Sequence, residues 1–302
     1  MKIVSDFDGV MTDQREEGAR VQTLFRERLQ SLAGLSAGDL EALVSRCRVA
    51  LNGAPTNYGW RSQGRISAYG DEDHFIQNIG LADCMDQFAD NGDAELQAIR
   101  EAVRKADLEN FGALSGWAYV EMTKETKAGK LEPLDPAAVA VLRDFLNDGA
   151  EVVVVSNSST ARVLDILNDS GLDAVDHTDD GAAQLRVRGG ARKFDLGTTP
   201  TAMQVNGMAF DVDRPFYAEI LEDEKPNAVF GDVFSLDLAL PLHLTRADSA
   251  TYGGMHILLR RQPYTPAWAL DLMHKTQEPA AHLAVYDAPE EIPAFLGTVL
   301  RS

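Results

Sequence analysis

The sequence predicts an α/β fold: a Rossmann-like, doubly wound parallel sheet with a mainly helical segment inserted near its start. Three observations carry this. Beyond about residue 131, short apolar runs alternate with amphipathic stretches, the rhythm of strand–helix–strand units. Within that region Glu151-Val152-Val153-Val154-Val155 holds four consecutive valines, which suits a parallel strand buried on both faces. Residues 17–130 lack the alternation and carry helical spacing instead.

The first element is the short apolar run Ile3-Val4, which ends in an acidic turn. Residues 19–52 read as two helices: Val21, Leu24, Phe25 and Leu29 recur at helical spacing, as do Leu40, Leu43, Val44 and Val49. Gly34 separates them, and Ser36 is a suitable N-cap for the second. Residues 53–73, rich in Gly, Asn and Ser, read as a loop. Helical patterning returns over 74–110, with a break at Asp90-Asn91-Gly92-Asp93, and 111–121 is apolar without a clear period. The polar stretch Lys124–Lys130 marks a domain boundary. The expected domains are therefore 1–16 with 131–302, and 17–130. In the second part, helices are expected at Pro136–Asn147 and Thr160–Asn168. Strands are expected at Ala228–Phe230, His256–Leu259 and Leu283–Tyr286, with a closing helix near Pro289–Leu300.

Composition narrows the function. Twenty-eight Lys and Arg against 47 Asp and Glu leave a formal net charge of −19, which argues against nucleic acid as the main partner and against anionic lipid. An anionic substrate would need a local positive site or a bound cation. Two cysteines, Cys47 and Cys84, are too few for a disulfide framework and are expected to be plain thiols. No signal-like apolar stretch opens the chain and no membrane-length apolar run occurs, so a cytoplasmic protein is expected.

Chemistry concentrates at three strand ends. Asp6-Phe7-Asp8-Gly9-Val10-Met11-Thr12-Asp13 follows the first strand, where open parallel sheets bind ligands. Two carboxylates this close favour a cation or a shared proton, and one of them can act as a nucleophile. An Asx-turn or helix cap is the structural alternative. The valine strand runs into Ser156-Asn157-Ser158-Ser159, where hydroxyls and a helix N-terminus suit phosphate oxygens. Ser158 or Ser159 could serve as the cap, and Ser156 comes too early for that. Gly231-Asp232 and Asp237 add two carboxylates after another strand, and oxygen ligands at this density suit Mg²⁺.

These motifs, in this order, resemble the haloacid dehalogenase superfamily of hydrolases. The first signature is matched by Asp6, Asp8, Gly9, Val10, Thr12 and Asp13, the second by Ser156, and the fourth by Gly231, Asp232 and Asp237. The resemblance covers residues 1–16 and about 131–302. It implies that Asp6 is the nucleophile and Asp8 the general acid/base, a residue that dehalogenating members lack. It implies Mg²⁺ as cofactor, held by Asp6, the Asp8 backbone and Asp232, with Asp237 in support. Ser156, with Asn157 beside it, would bind the phosphoryl group. The third signature is a cation. Arg214, in Arg214-Pro215-Phe216-Tyr217, is the preferred candidate for catalysis and substrate binding, and Lys193 is the rival.

The resemblance also makes residues 17–130 a helical cap that closes over the site. Tyr58, Trp60, Arg61, Arg65 and His74 could line it or could simply anchor an exposed loop. The expected function is a Mg²⁺-dependent phosphatase acting on a small phosphorylated metabolite through an aspartyl-phosphate. A phosphomutase of the same superfamily and a non-catalytic binding protein on this fold are the alternatives. Homo-oligomerisation is left open.

Overall fold

The computed structural model describes residues 1–127, 134–179 and 183–296. The chain forms two compact units, Met1–Asp13 with Glu132–Ser302, and Gln14–Leu131.

The α/β unit opens with β1 (Lys2–Ser5). In the helical unit follow α1 (Arg15–Ala33), α2 (Ala37–Gly53), the hairpin β2 (Gly59–Ser62) and β3 (Arg65–Tyr69), then α3 (His74–Asp90), α4 (Ala94–Arg104) and α5 (Phe111–Lys127). Gly34 closes α1 in the left-handed conformation that glycine adopts without cost. The Ser36 hydroxyl accepts from Asp39 N–H at the start of α2. The apolar faces of these helices meet in one core around Phe25, Leu29, Val44, Met85 and Phe111, which also takes in both buried cysteines. Two expectations fail here. Residues 53–73 are not all loop, because Arg61 anchors the hairpin by pairing with Asp83 at 2.7 Å and donating to Asn57 O. The stretch from Lys124 is not a connector at its start, because α5 continues to Lys127; the rest of the expected boundary lies outside the described residues.

The α/β unit resumes with α6 (Pro136–Asn147), β4 (Glu151–Val155), α7 (Thr160–Asp169), β5 (Val175–Asp176) and β6 (Leu185–Arg188). A separate antiparallel hairpin follows, β7 (Ala202–Val205) and β8 (Met208–Asp211), which the sequence reading did not anticipate. Then come α8 (Pro215–Glu224), β9 (Ala228–Gly231), a π-helical turn at Phe234–Leu238, α9 (Ala239–Ala247), α10 (Ser249–Tyr252), β10 (Met255–Arg260), α11 (Ala267–Lys275), β11 (Ala281–Tyr286) and α12 (Ile292–Leu296). The part of the expected closing helix beyond residue 296 lies outside the described residues.

Seven strands pair in the order β11-β10-β9-β1-β4-β6-β5, and every pairing is parallel. The chain winds outward from β1 on one side through β4 and then on the other through β9. The direction therefore reverses beside β1, which creates the crevice where such sheets hold ligands. Val152–Val155 are buried throughout, which accounts for the uninterrupted valine run. Among the described residues no helix is long and apolar enough to cross a membrane.

Candidate active site

The site is built at the carboxyl end of β1. Asp6 N–H donates to Phe230 O at 2.9 Å, which extends the ladder toward β9 by one residue and fixes Asp6 at the strand tip. The chain then turns tightly: Met11 N–H donates to Phe7 O at 2.8 Å, and Gly9 N–H donates to the Thr12 hydroxyl at 3.3 Å. Gly9 has φ +75°, and a Cβ there would lie 2.0 Å from Asp232 Oδ2. Only glycine meets both demands, the left-handed backbone and the close approach of a carboxylate. Arg260 at the end of β10 braces the turn by donating to Val10 O and to the Asp135 carboxylate.

Asp6, Asp232 and Asp237 converge, each offering one carboxylate oxygen within 4.8 Å of the others. All three are buried. Asp232 Oδ2 accepts from the Tyr264 hydroxyl at 2.9 Å. Asp237 lies on the π-helical turn, and its Oδ2 accepts from Val233 N–H at 3.1 Å. The Asp8 side chain is not in this cluster. Its Oδ2 accepts from the Ser156 and Ser158 hydroxyls at 2.9 and 3.0 Å, and its Oδ1 accepts from Arg162 at 3.3 Å.

The cation beside the expected nucleophile is Lys193. Its Nζ donates to Asp6 Oδ1 and to Asp237 Oδ1, both at 2.7 Å, and its side chain is 2% exposed. The expectation that Arg214 reaches toward Asp6 is thus corrected. Arg214 is buried too, but its guanidinium donates to Lys193 O and to Ser235 O, tying the loop that carries Lys193 to the turn that carries Asp237. Topology explains the difference. Lys193 follows β6, a strand of the main sheet, and reaches its carboxyl edge. Arg214 follows β8, which belongs to the separate hairpin. Arg192, with φ +51°, makes the sharp turn that precedes Lys193.

The remaining expected residues fall around this centre. Ser156 is fully buried, accepting from Ser158 N–H while donating to Asp8. Ser159, not Ser158, caps α7. Asn157 Oδ1 accepts from Lys193 N–H at 2.8 Å, so this side chain orients the lysine loop. Arg162 and Tyr264 were absent from the sequence reading. Arg162 had a local signal, standing one helical turn beyond Ser158. Tyr264 had none, since 32 residues separate it from Asp232.

Electrostatics follow from burial and crowding. Burial, then Asp237 and Asp8, push the Asp6 carboxyl up to about 8 against the pull of Lys193. Burial opposes the charge on Lys193, but Asp237 and Asp6 outweigh it and hold the ammonium above the usual lysine range. A charged Lys193 between two acids is the direction that geometry supports. Among the described residues, Lys193 pairs with Asp6 and Asp237, Arg162 pairs with Asp8, and Asp232 accepts from the Tyr264 hydroxyl, so acids outnumber bases within this group. The set can therefore accept a further cation, present a carboxylate oxygen at the strand tip, and move a proton at Asp8.

No family model and no curated protein matches this chain. Among solved structures, it resembles a haloacid dehalogenase-like family hydrolase from Xanthomonas campestris at 14% identity, over 99% of this chain and 95% of that one, with a TM-score of 0.44. A 2-haloacid dehalogenase from Pseudomonas syringae covers 98% of this chain and 97% of its own at 14% identity and TM-score 0.40. A variant of CbbY from Rhodobacter sphaeroides, in complex with xylulose-1,5-bisphosphate, covers 96% and 95% at 13% identity and TM-score 0.38. Scores and identities this low assign neither activity nor ligand.

Proposed function

We propose that the chain is a phosphohydrolase of the haloacid dehalogenase superfamily, acting on a small phosphorylated metabolite through an aspartyl-phosphate on Asp6. The observation that carries this reading is the convergence of Asp6, Asp232 and Asp237 with Lys193 at the switch point of the sheet, with Asp8 two residues from Asp6 on a separate set of partners. Displacement of a halide needs one nucleophilic carboxylate. A halide, unlike an alkoxide, departs without being protonated, and protonating the leaving group is the work this reading gives to Asp8.

The donor set fits a hard divalent cation. Three buried carboxylates converge, one ammonium bonds two of them, and a carboxyl pushed up by burial and by negative neighbours is one that added positive charge returns to its ionised form. Asp6 and Asp232 would hold Mg²⁺ with the Asp8 backbone. Asp237 would contribute mainly through Lys193, since both of its oxygens already accept hydrogen bonds. When bound, the ion supplies charge neutralisation between nucleophile and phosphoryl oxygens.

The chain's own residues do the rest. An Asp6 oxygen bonds to phosphorus as the ester P–O bond breaks, and the Asp8 proton passes to the leaving oxygen. Asp8, now ionised, takes a proton from water as that water attacks phosphorus, which frees Asp6 and releases phosphate. Lys193 keeps positive charge against Asp6 and the phosphoryl group. Ser156 would donate to a phosphoryl oxygen by turning its single hydroxyl proton from Asp8.

Phosphate release from a panel of phosphoesters with Mg²⁺, alongside halide release from 2-haloacids, tests the assignment. Phosphate release should be abolished by EDTA and fall on the order of 10⁴-fold or more in Asp6→Asn, as for loss of other nucleophiles. Halide release without phosphate release, or undiminished turnover by Asp6→Asn, would overturn it.

A further inference from the structure

Asp8 is held by more than its neighbours in the first loop. One guanidinium nitrogen of Arg162, Nη1, donates both to Asp8 Oδ1 at 3.3 Å and to the Ser158 hydroxyl oxygen at 2.7 Å. Ser158 has a single hydroxyl proton. Because Arg162 occupies one of its acceptor sites, that proton is directed to Asp8 Oδ2, where Ser156 also donates. The carboxylate is thus gripped at both oxygens. Oδ2 takes two hydroxyl donors, and Oδ1 keeps one lone pair beside the Arg162 contact. The side chains of Asp8 and Arg162 are 20% and 28% exposed, so the pair stands at the open side of the site, unlike the buried Lys193.

We propose that Arg162 is a positioning residue for Asp8: directly and through Ser158, it fixes the carboxylate so that Oδ1 is the oxygen that carries the transferred proton. This rests on the phosphohydrolase reading and adds to it a residue from the first turn of α7. Arg162 acts through Asp8 and makes no bond to phosphorus. Its loss should therefore matter in proportion to how much the leaving group needs a proton. An alkyl phosphate leaves as a strongly basic alkoxide and requires protonation. p-Nitrophenyl phosphate leaves as a stable phenolate and does not.

The test compares kcat/KM, which reports steps up to phosphoenzyme formation, for an alkyl phosphate that the enzyme accepts and for p-nitrophenyl phosphate. Arg162→Met should lower the alkyl value about 10- to 100-fold, part of the full contribution of a general acid, and the nitrophenyl value by less than about 3-fold. Arg162→Lys, which keeps the charge, should recover much of the alkyl loss. Equal losses on both substrates, or no loss on either, would overturn the proposal. A crystal structure of Arg162→Met gives a second readout that needs no activity. Asp8 should leave the Ser156 and Ser158 hydroxyls, and an unmoved carboxylate would overturn the positioning role. Failure of the phosphohydrolase reading would show separately, as wild-type protein that turns over no phosphoester.

Discussion

Glu224 and Asp6 are both buried carboxylates paired with basic side chains in the same α/β unit, yet their surroundings have opposite balances. Glu224, with its side chain 2% exposed, meets Lys2 at 3.2 Å, Arg186 at 3.0 Å and Arg188 at 2.8 Å. The more exposed Glu151 and Asp223 then pair with the same cations from outside. Three acids face three bases, and the cluster is complete within the chain. Asp6 shares its end of the sheet with Asp8, Asp232 and Asp237, and among the described residues Lys193 pairs with Asp6 and Asp237 while Arg162 pairs with Asp8. An excess of negative charge in a buried place is costly unless something neutralises it. A closed balance is the mark of a structural brace, and an open one is the mark of a place kept for a ligand.

The sharpest way to break this contrast is to remove Lys193. Lys193→Met should reduce kcat/KM on the order of 10²- to 10³-fold, the range for a lost charge-stabilising donor. It should also destabilise the protein by about 3–5 kcal/mol, since Asp6 and Asp237 lose their shared partner. Added Mg²⁺ should raise the melting temperature more in this variant than in wild type, because the ion meets a larger excess of negative charge. Equal Mg²⁺ responses in the two proteins would show that the cluster is not the cation site.

A smaller effect is expected at the balanced cluster. Glu224→Gln leaves three cations with one acid fewer, but these cations are partly hydrated and keep their outer partners. Urea unfolding should report a loss of about 2 kcal/mol, below the full cost of breaking a buried pair. Activity of the folded variant and its response to Mg²⁺ should match wild type. A change in the Mg²⁺ dependence would mean that the two clusters are coupled.

The smallest effect separates both clusters from a third charged place. His256 on β10 stacks against His282 on β11, with ring centroids 4.6 Å apart. Burial, and then His282, lower the pKa of His256 below its usual value. The folded state therefore binds fewer protons than the unfolded chain as pH falls through the ordinary histidine range. Stability is full above that range, is lost on descending through it, and levels off below the folded-state pKa. The difference between wild-type and His256→Gln unfolding curves over pH 5 to 8 should show this slope, since the raised Asp6 carboxyl contributes with the opposite sign in both proteins, and the substitution should not alter the Mg²⁺ response. An unchanged slope would place its origin elsewhere.

Much of the fold was legible because its signals are local. The valine run required a strand buried on both faces. Gly34 and Ser36 marked a helix end and a helix start. The spacing of Asp6, Asp8 and Gly9 placed two carboxylates on a tight turn. The hairpin of β2 and β3 escaped because its apolar positions are few and it is held by a distant partner, Asp83.

The sequence by itself determined the element types of the α/β unit, the acids at its strand ends, and the excess of negative charge among them. Tertiary structure alone decided which cation meets Asp6. Lys193 and Arg214 each follow a short strand and each is buried, so residue type and spacing do not separate them. The difference is which sheet the preceding strand joins, and that is set by pairings across long stretches of chain. The same holds for Arg162 and Tyr264. Each is an unremarkable residue in its own segment and gains a role only when the sheet brings a carboxylate within hydrogen-bond reach. A charge is written in the sequence, whereas the partner it meets depends on distances that only the folded chain fixes.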